Sequence, residues 1–159
     1  MILGLSTALY TQIHVAISLI GILTGFIVAF GLLANKRLPA LTALFLLTTV
    51  LTSVTGFFFP WKGFTPGIIV GMISMVVLLI AILALYGSHL SGSCRRIYVI
   101  TAMLALYLNF FVLIAQSFQK VPALHALPPA AFKITQLIAL IVFATWTFAA
   151  DKKFRPTLA

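Results

Sequence analysis

Residues 66–87 read PGIIVGMISMVVLLIAILALYG, a run without one charged side chain. In an α-helix, 1.5 Å per residue makes this stretch about 33 Å long, enough to cross hydrocarbon about 30 Å thick. Pro66 suits the first turn of such a helix, where its missing N–H costs nothing. An uninterrupted apolar run, rather than a half-buried periodic one, predicts a membrane-spanning segment.

Working outward, charges, prolines and polar clusters mark off four more runs, at about 11–34, 40–59, 97–118 and 131–150. Lipid offers no partners to open backbone groups, so each must be helical. The expected fold is all-α: an integral membrane bundle of five transmembrane helices forming a single domain over 1–159. Composition agrees. Of 159 residues, 63% are hydrophobic and 7% charged, whereas a soluble domain is roughly a quarter charged. A water-facing surface cannot be made from this chain.

The net charge of +9 comes from ten cations and one acid, Asp151. The cations stand at the ends of apolar runs, where topology signals belong, so no nucleic-acid partner is expected. With five spans, Lys36, Arg37, Arg95, Arg96, Lys152, Lys153 and Arg155 fall on one side, and Lys62, Lys120 and Lys133 on the other. That separation predicts an N-terminus outside and a C-terminus in the cytoplasm. Residues 1–35 lack Lys and Arg, so the first span is expected to be retained rather than removed as a leader. Cys94 is the only cysteine, so no internal disulfide is possible.

Helix faces carry the next layer of information. At 100° per residue, Tyr98, Ala102, Ala105, Asn109, Gln116 and Lys120 share one stripe of the fourth span. Ile100, Leu104, Tyr107, Phe111, Ile114 and Phe118 share the opposite one. The polar stripe should face protein and the apolar one lipid. His14, Ser18, Gly21 and Gly25 line the first span, Gly67, Gly71 and Ser74 the third, and Thr48, Thr52 and Thr55 the second, with Thr49 and Ser53 beside them. Small residues allow close helix approach, within the chain or by self-association. Buried hydroxyls can bond their own helix four residues back.

Polar residues gather near the expected outer boundary. Gln12 and His14 open the first span, and Trp61 and Lys62 follow the second. Gln116, Gln119 and Lys120 close the fourth, His125 lies in the next loop, and Lys133 and Gln136 open the fifth. A proline-rich loop, KVPALHALPPAAFK, is expected to fold over them as a short lid. Plainer readings stand beside this one. Trp61 suits an interfacial anchor, the lysines can snorkel to headgroups, and His14, Asn109 and Gln116 can simply bond neighbouring helices.

What the sequence lacks narrows the chemistry. With no carboxylate besides Asp151, paired-carboxylate catalysis, a Ser/His/Asp triad, the usual proton relay and a hard-cation site are excluded. Zinc needs three or four ligands, and only two histidines share the outer side. Two ligand classes remain open. One is a quinone-like carbonyl headgroup held by His14, Gln116 and Lys120, with Gln119, Asn109, His125 and Gln136 nearby. The other is haem between His14 and His125.

The segment YLNFFVLIAQSFQKVPALHAL (107–127), with TSVTGFFFP (52–60), resembles segments of a group of small uncharacterised polytopic proteins of the bacterial inner membrane. The resemblance implies that location and no activity. The group often carries a longer, acidic loop after the segment that ends near His125, where this chain has LPPAAFK. The function expected from all this is that of a non-enzymatic membrane protein, an accessory subunit or small-ligand binder of a larger assembly. A small transporter or channel, and a lipid- or quinone-directed enzyme, are the competing expectations.

Overall fold

The computed structural model describes residues 1–60, 63 and 65–155. Among them no strand occurs; a bridge between Ile2 and Leu5 closes a tight turn through Leu3 and Gly4. The helices are α1 (Thr7–Leu33), α2 (Pro39–Gly56), α3 (Pro66–Ile82, extended by a π turn through Gly87), α4 (Cys94–Lys120), the single-turn α5 (Pro122–His125) and α6 (Pro129–Lys153). All but α5 are long and apolar enough to cross a membrane.

Local chemistry sets the boundaries. Ser6 caps α1 by accepting from Leu9 N at 3.3 Å, and Thr65 caps α3 through Ile68 N at 3.4 Å. Asn35 ends α1 in the left-handed region (φ 55), with Lys36 N donating back to Gly31 O at 2.8 Å. That closure satisfies carbonyls the helix would otherwise leave orphaned. Three helices outrun their apolar segments: α1 begins four residues earlier than expected, α4 three earlier, and α6 ends at Lys153. A backbone ladder does not stop where side chains become polar; it stops at caps and prolines. α2 does the reverse and ends at Gly56, three residues short of the expected Phe59.

α4 is the centre of the bundle, touching α1, α2, α3 and α6, while α1 and α2 form the other extensive pair. Buried residues concentrate toward the end where α4 begins: Gly21 to Leu32 on α1, Ser74 to Ala81 on α3, and Tyr98 to Asn109 on α4. We call this the Arg95 end and the opposite one the His14 end. Few side chains are buried at the His14 end, Tyr10 and Ile114 among them. The outer belt is hydrocarbon, with Leu23, Val76 and Phe148 at 64, 60 and 62% exposure. A bilayer can solvate such a surface and water cannot.

The α4 face pattern holds as far as Asn109. Tyr98, Ala102, Ala105 and Asn109 are buried, and Ile100 and Leu104 face outward. Beyond Asn109 it reverses, for Ile114 is buried while Gln116 and Lys120 are exposed. At the sparsely packed end the apolar side chain supplies the contact, and the long polar ones reach outward. The glycine face of α1 packs inside the chain. Gly21 and Gly25 are covered by Thr48, Thr49 and Phe45 of α2 and by Asn109 and Leu106 of α4, so that face is used within the bundle.

Candidate functional site

At the His14 end, α2 stops at Gly56 and three phenylalanines follow. Phe59 folds back against α1, its ring edge-on to Tyr10 and to His14 with centroids 5.2 Å away in each case. Tyr10 donates its hydroxyl to Thr55 O at 2.8 Å, and His14 Nδ1 lies 2.8 Å from Thr55 Oγ1. Thr55 Oγ1 also lies 2.7 Å from Leu51 O; with its hydrogen directed there, its oxygen accepts and His14 Nδ1 donates. In the neutral ring this leaves Nε2 with a free lone pair. His14 is half-buried.

From His14 a polar seam runs inward between α1 and α2. Its hydroxyls all point at their own helix: Thr48 to Leu44 O, Thr49 to Phe45 O, Thr52 to Thr48 O and Ser53 to Thr49 O, at 2.7–3.1 Å. Ser18 does the same to His14 O at 2.8 Å. Each hydrogen is spent, so the seam presents lone pairs. It ends at Gly21, where a Cβ would lie 3.1 Å from Thr48 Oγ1, 3.2 Å from Thr49 Oγ1 and 3.4 Å from Asn109 Nδ2. Asn109 is 8% exposed, and its Nδ2 has no hydrogen-bond partner. A buried amide donor left open is costly, of order 1–3 kcal/mol.

One helical turn further along α1 the seam is shut. At Gly25 a Cβ would meet Leu106 Cδ1 at 2.5 Å and the Phe45 ring at 2.9 Å. A side chain there would force Leu106 and Phe45 to shift, so the apolar contact at Gly25 is tight.

The sequence-predicted site residues therefore occupy separate places. His14 joins Thr55, and Asn109 joins Gly21, Thr48 and Thr49. Gln136 sits between α6 and α4, giving Nε2 to Phe111 O at 3.1 Å while its buried Oε1 lacks a partner. Gln116, Gln119 and Lys120 are exposed at the end of α4, and His125 is exposed on α5. The expected lid does not cover them: α5 packs on α4 alone, and within 121–130 only Leu124 is even half-buried. Trp61 and Lys62 lie outside the described residues. Neither the cavity lined by Leu32, Leu85 and Tyr98 nor the groove between α4 and α6 is lined by His14 or His125, and no group of three metal-ligating side chains occurs among the described residues.

Sequence reasoning missed the chemistry at the Arg95 end. Asp151 binds two guanidinium groups, Arg95 Nη2 at 3.2 Å and Arg96 Nε at 3.1 Å. Arg95 Nη1 also donates to the carbonyls of Asp151 and Phe154, each at 2.9 Å. The carboxylate thus lies at the N-terminus of α4, and a cation caps the C-terminus of α6, both favoured by the helix dipoles. The available signal was the uniqueness of Asp151 among so many cations. No known protein family, no curated protein and no solved structure matches the chain, so its function is read from its own residues.

Proposed function

We propose that this chain is a non-enzymatic multi-pass protein of a bacterial inner membrane, acting as an accessory subunit that binds a quinone-like lipophile at the His14 end. The cation distribution supports an N-terminus outside and a C-terminus in the cytoplasm, since among the described residues seven cations stand at the Arg95 end and two, Lys120 and Lys133, at the other. The observation that carries the reading is the half-buried His14 ring, fixed by Thr55 and Phe59 with Nε2 unspent. In the reduced, quinol form one ring hydroxyl would donate to Nε2, and Lys120 and Gln116, exposed at the same end, would offer N–H groups to the oxygen of the other hydroxyl. The apolar tail would lie along the lipid-facing helices. The lone carboxylate is committed to two arginines, which leaves no acid pair for catalysis. The tight apolar contact of Leu106 and Phe45 at Gly25 weighs against a through-going transporter or channel.

Extraction of the purified chain, followed by chromatography and mass spectrometry of the lipophilic fraction, tests the ligand. A stoichiometric aromatic lipophile lost in His14→Leu and retained in His125→Ala is the expected result. Loss in neither variant would overturn the site. Orientation is tested by a membrane-impermeant maleimide, which should label Cys94 only after the cells are opened.

A further inference from the structure

The wall between α4 and α6 holds an open groove of about 400 Å³, lined on α4 by Arg96, Ile100, Leu104 and Tyr107 and on α6 by Ala144 and Phe148 among others. Its length is informative. From Arg96 to Tyr107 is eleven residues, about 16 Å of helix, roughly half of a 30 Å hydrocarbon layer. The groove therefore runs from the membrane boundary to about the midplane, the depth of one leaflet. At its deep end Tyr107 and Phe143 meet with centroids 5.6 Å apart.

The mouth is as distinct as the shaft. Arg96 spends Nε on Asp151 Oδ2, yet its side chain is 66% exposed, so its remaining N–H groups stay free for an outside partner. Lys152 places its ammonium 4.2 Å above the ring of Phe148, itself part of the groove wall. Asp151 is the only acid in the chain and is shared between Arg95 and Arg96. Three cations against one carboxylate leave an excess of two positive charges at the rim. No side chain of this protein can neutralise them.

We propose that this groove is a binding site for an anionic phospholipid, with one acyl chain along it and the phosphate at Arg96 and Lys152. Charge complementarity selects the occupant: an apolar cleft one leaflet deep, opening laterally and ending at uncompensated cations, matches a lipid with a negative head. Basic clusters between spanning helices attract such heads by a few-fold per cation. The site is separate from the His14 end and does not depend on the ligand proposed there.

Native mass spectrometry of the full chain in detergent tests this, with phosphatidylglycerol and phosphatidylcholine of identical acyl chains supplied in equal amounts. The wild type should retain phosphatidylglycerol by at least about tenfold over phosphatidylcholine, and each lost cation should reduce the ratio about fivefold. Arg96→Gln and Lys152→Gln together should bring it near one, while Lys133→Gln at the far end leaves it unchanged. Ala144→Trp should remove adducts of both lipids by filling the groove; should that variant fail to fold, the two Gln variants still decide the matter. Equal retention of the two lipids by wild type, or a ratio indifferent to Arg96→Gln and Lys152→Gln, would overturn the proposal. So would efficient Ala144→Cys cross-linking between two chains in a Cys94→Ser background, which would put a second copy in the groove.

Discussion

At the Arg95 end, four side-chain hydrogen bonds and ion pairs converge on the C-terminal end of α6, and the tail is tied to the α1–α2 turn by Arg155 N to Asn35 Oδ1 at 2.7 Å. At the His14 end, by contrast, Gln116, Gln119, Lys120, Lys133 and His125 are all exposed, and His14 is held by one hydroxyl. The core lies under the first end and thins toward the second. Fastening and availability are thus segregated along the length of the bundle. One half of the bundle fixes the helices, and the other half is left with polar groups able to meet something else.

The largest test of that contrast is Asp151→Ala. It strands Arg95, only 16% exposed, without its carboxylate, and breaking a buried pair costs about 3–5 kcal/mol. Unfolding in detergent micelles, followed by circular dichroism, should register about 3 kcal/mol for Asp151→Ala and almost nothing for Lys133→Ala. Replacing both partners, Arg95→Met with Asp151→Leu, should recover most of the loss, since an apolar pair of similar volume is often neutral. Similar costs at the two ends would erase the distinction.

Next in size is the boundary between the halves. Gly25→Ala inserts a carbon 2.5 Å from Leu106 Cδ1, and overpacking of this kind costs about 1–3 kcal/mol. Gly67→Ala is the counterpart at the loose end, with only Thr65 Oγ1 at 3.9 Å in its way. There the gain in helix propensity, up to about 1 kcal/mol, should prevail. Opposite signs at the two glycines are expected in the same micellar unfolding assay.

A smaller effect of unusual sign is expected at the seam's inner end. Asn109→Leu removes a buried donor that has no partner, so stability should be unchanged or rise by up to about 1 kcal/mol. A loss larger than that would mean the amide is bonded and the seam is an ordinary satisfied core.

Much of the fold was legible in the sequence because bilayer thickness and backbone hydrogen bonding leave few options for apolar runs such as 66–87. Periodicity likewise placed Tyr98, Ala102, Ala105 and Asn109 inward and made the α1 glycines a packing face. The site was less legible. Gln116, Gln119, Lys120 and His125 were gathered by sequence position near one boundary, but nearness to a boundary does not fix which way a long side chain points. Phe59 shows the same limit, since only the early end of α2 at Gly56 turns it under His14. The Arg95–Asp151–Arg96 clasp joins residues 56 apart, a pairing that no local pattern encodes; the lone acid among ten cations was a signal that went unused.

The smallest expected change in stability concerns the group on which the ligand reading rests. Thr55→Val keeps shape and removes the acceptor for His14 Nδ1, at a cost of about 0.5–1 kcal/mol because the bond is only part-buried. Its chemical consequence is larger than its energetic one. Without Thr55 Oγ1 the neutral ring is no longer held with its proton on Nδ1, and Nε2 can become the donor. The ¹⁵N shifts of His14 should then move from one neutral tautomer toward the other, and retention of a hydroxyl-bearing lipophile should fall while folding persists. If the tautomer changed without any loss of retained lipophile, Nε2 would not be the contact, and the exposed polar groups of that end would be membrane-surface residues with no ligand between them.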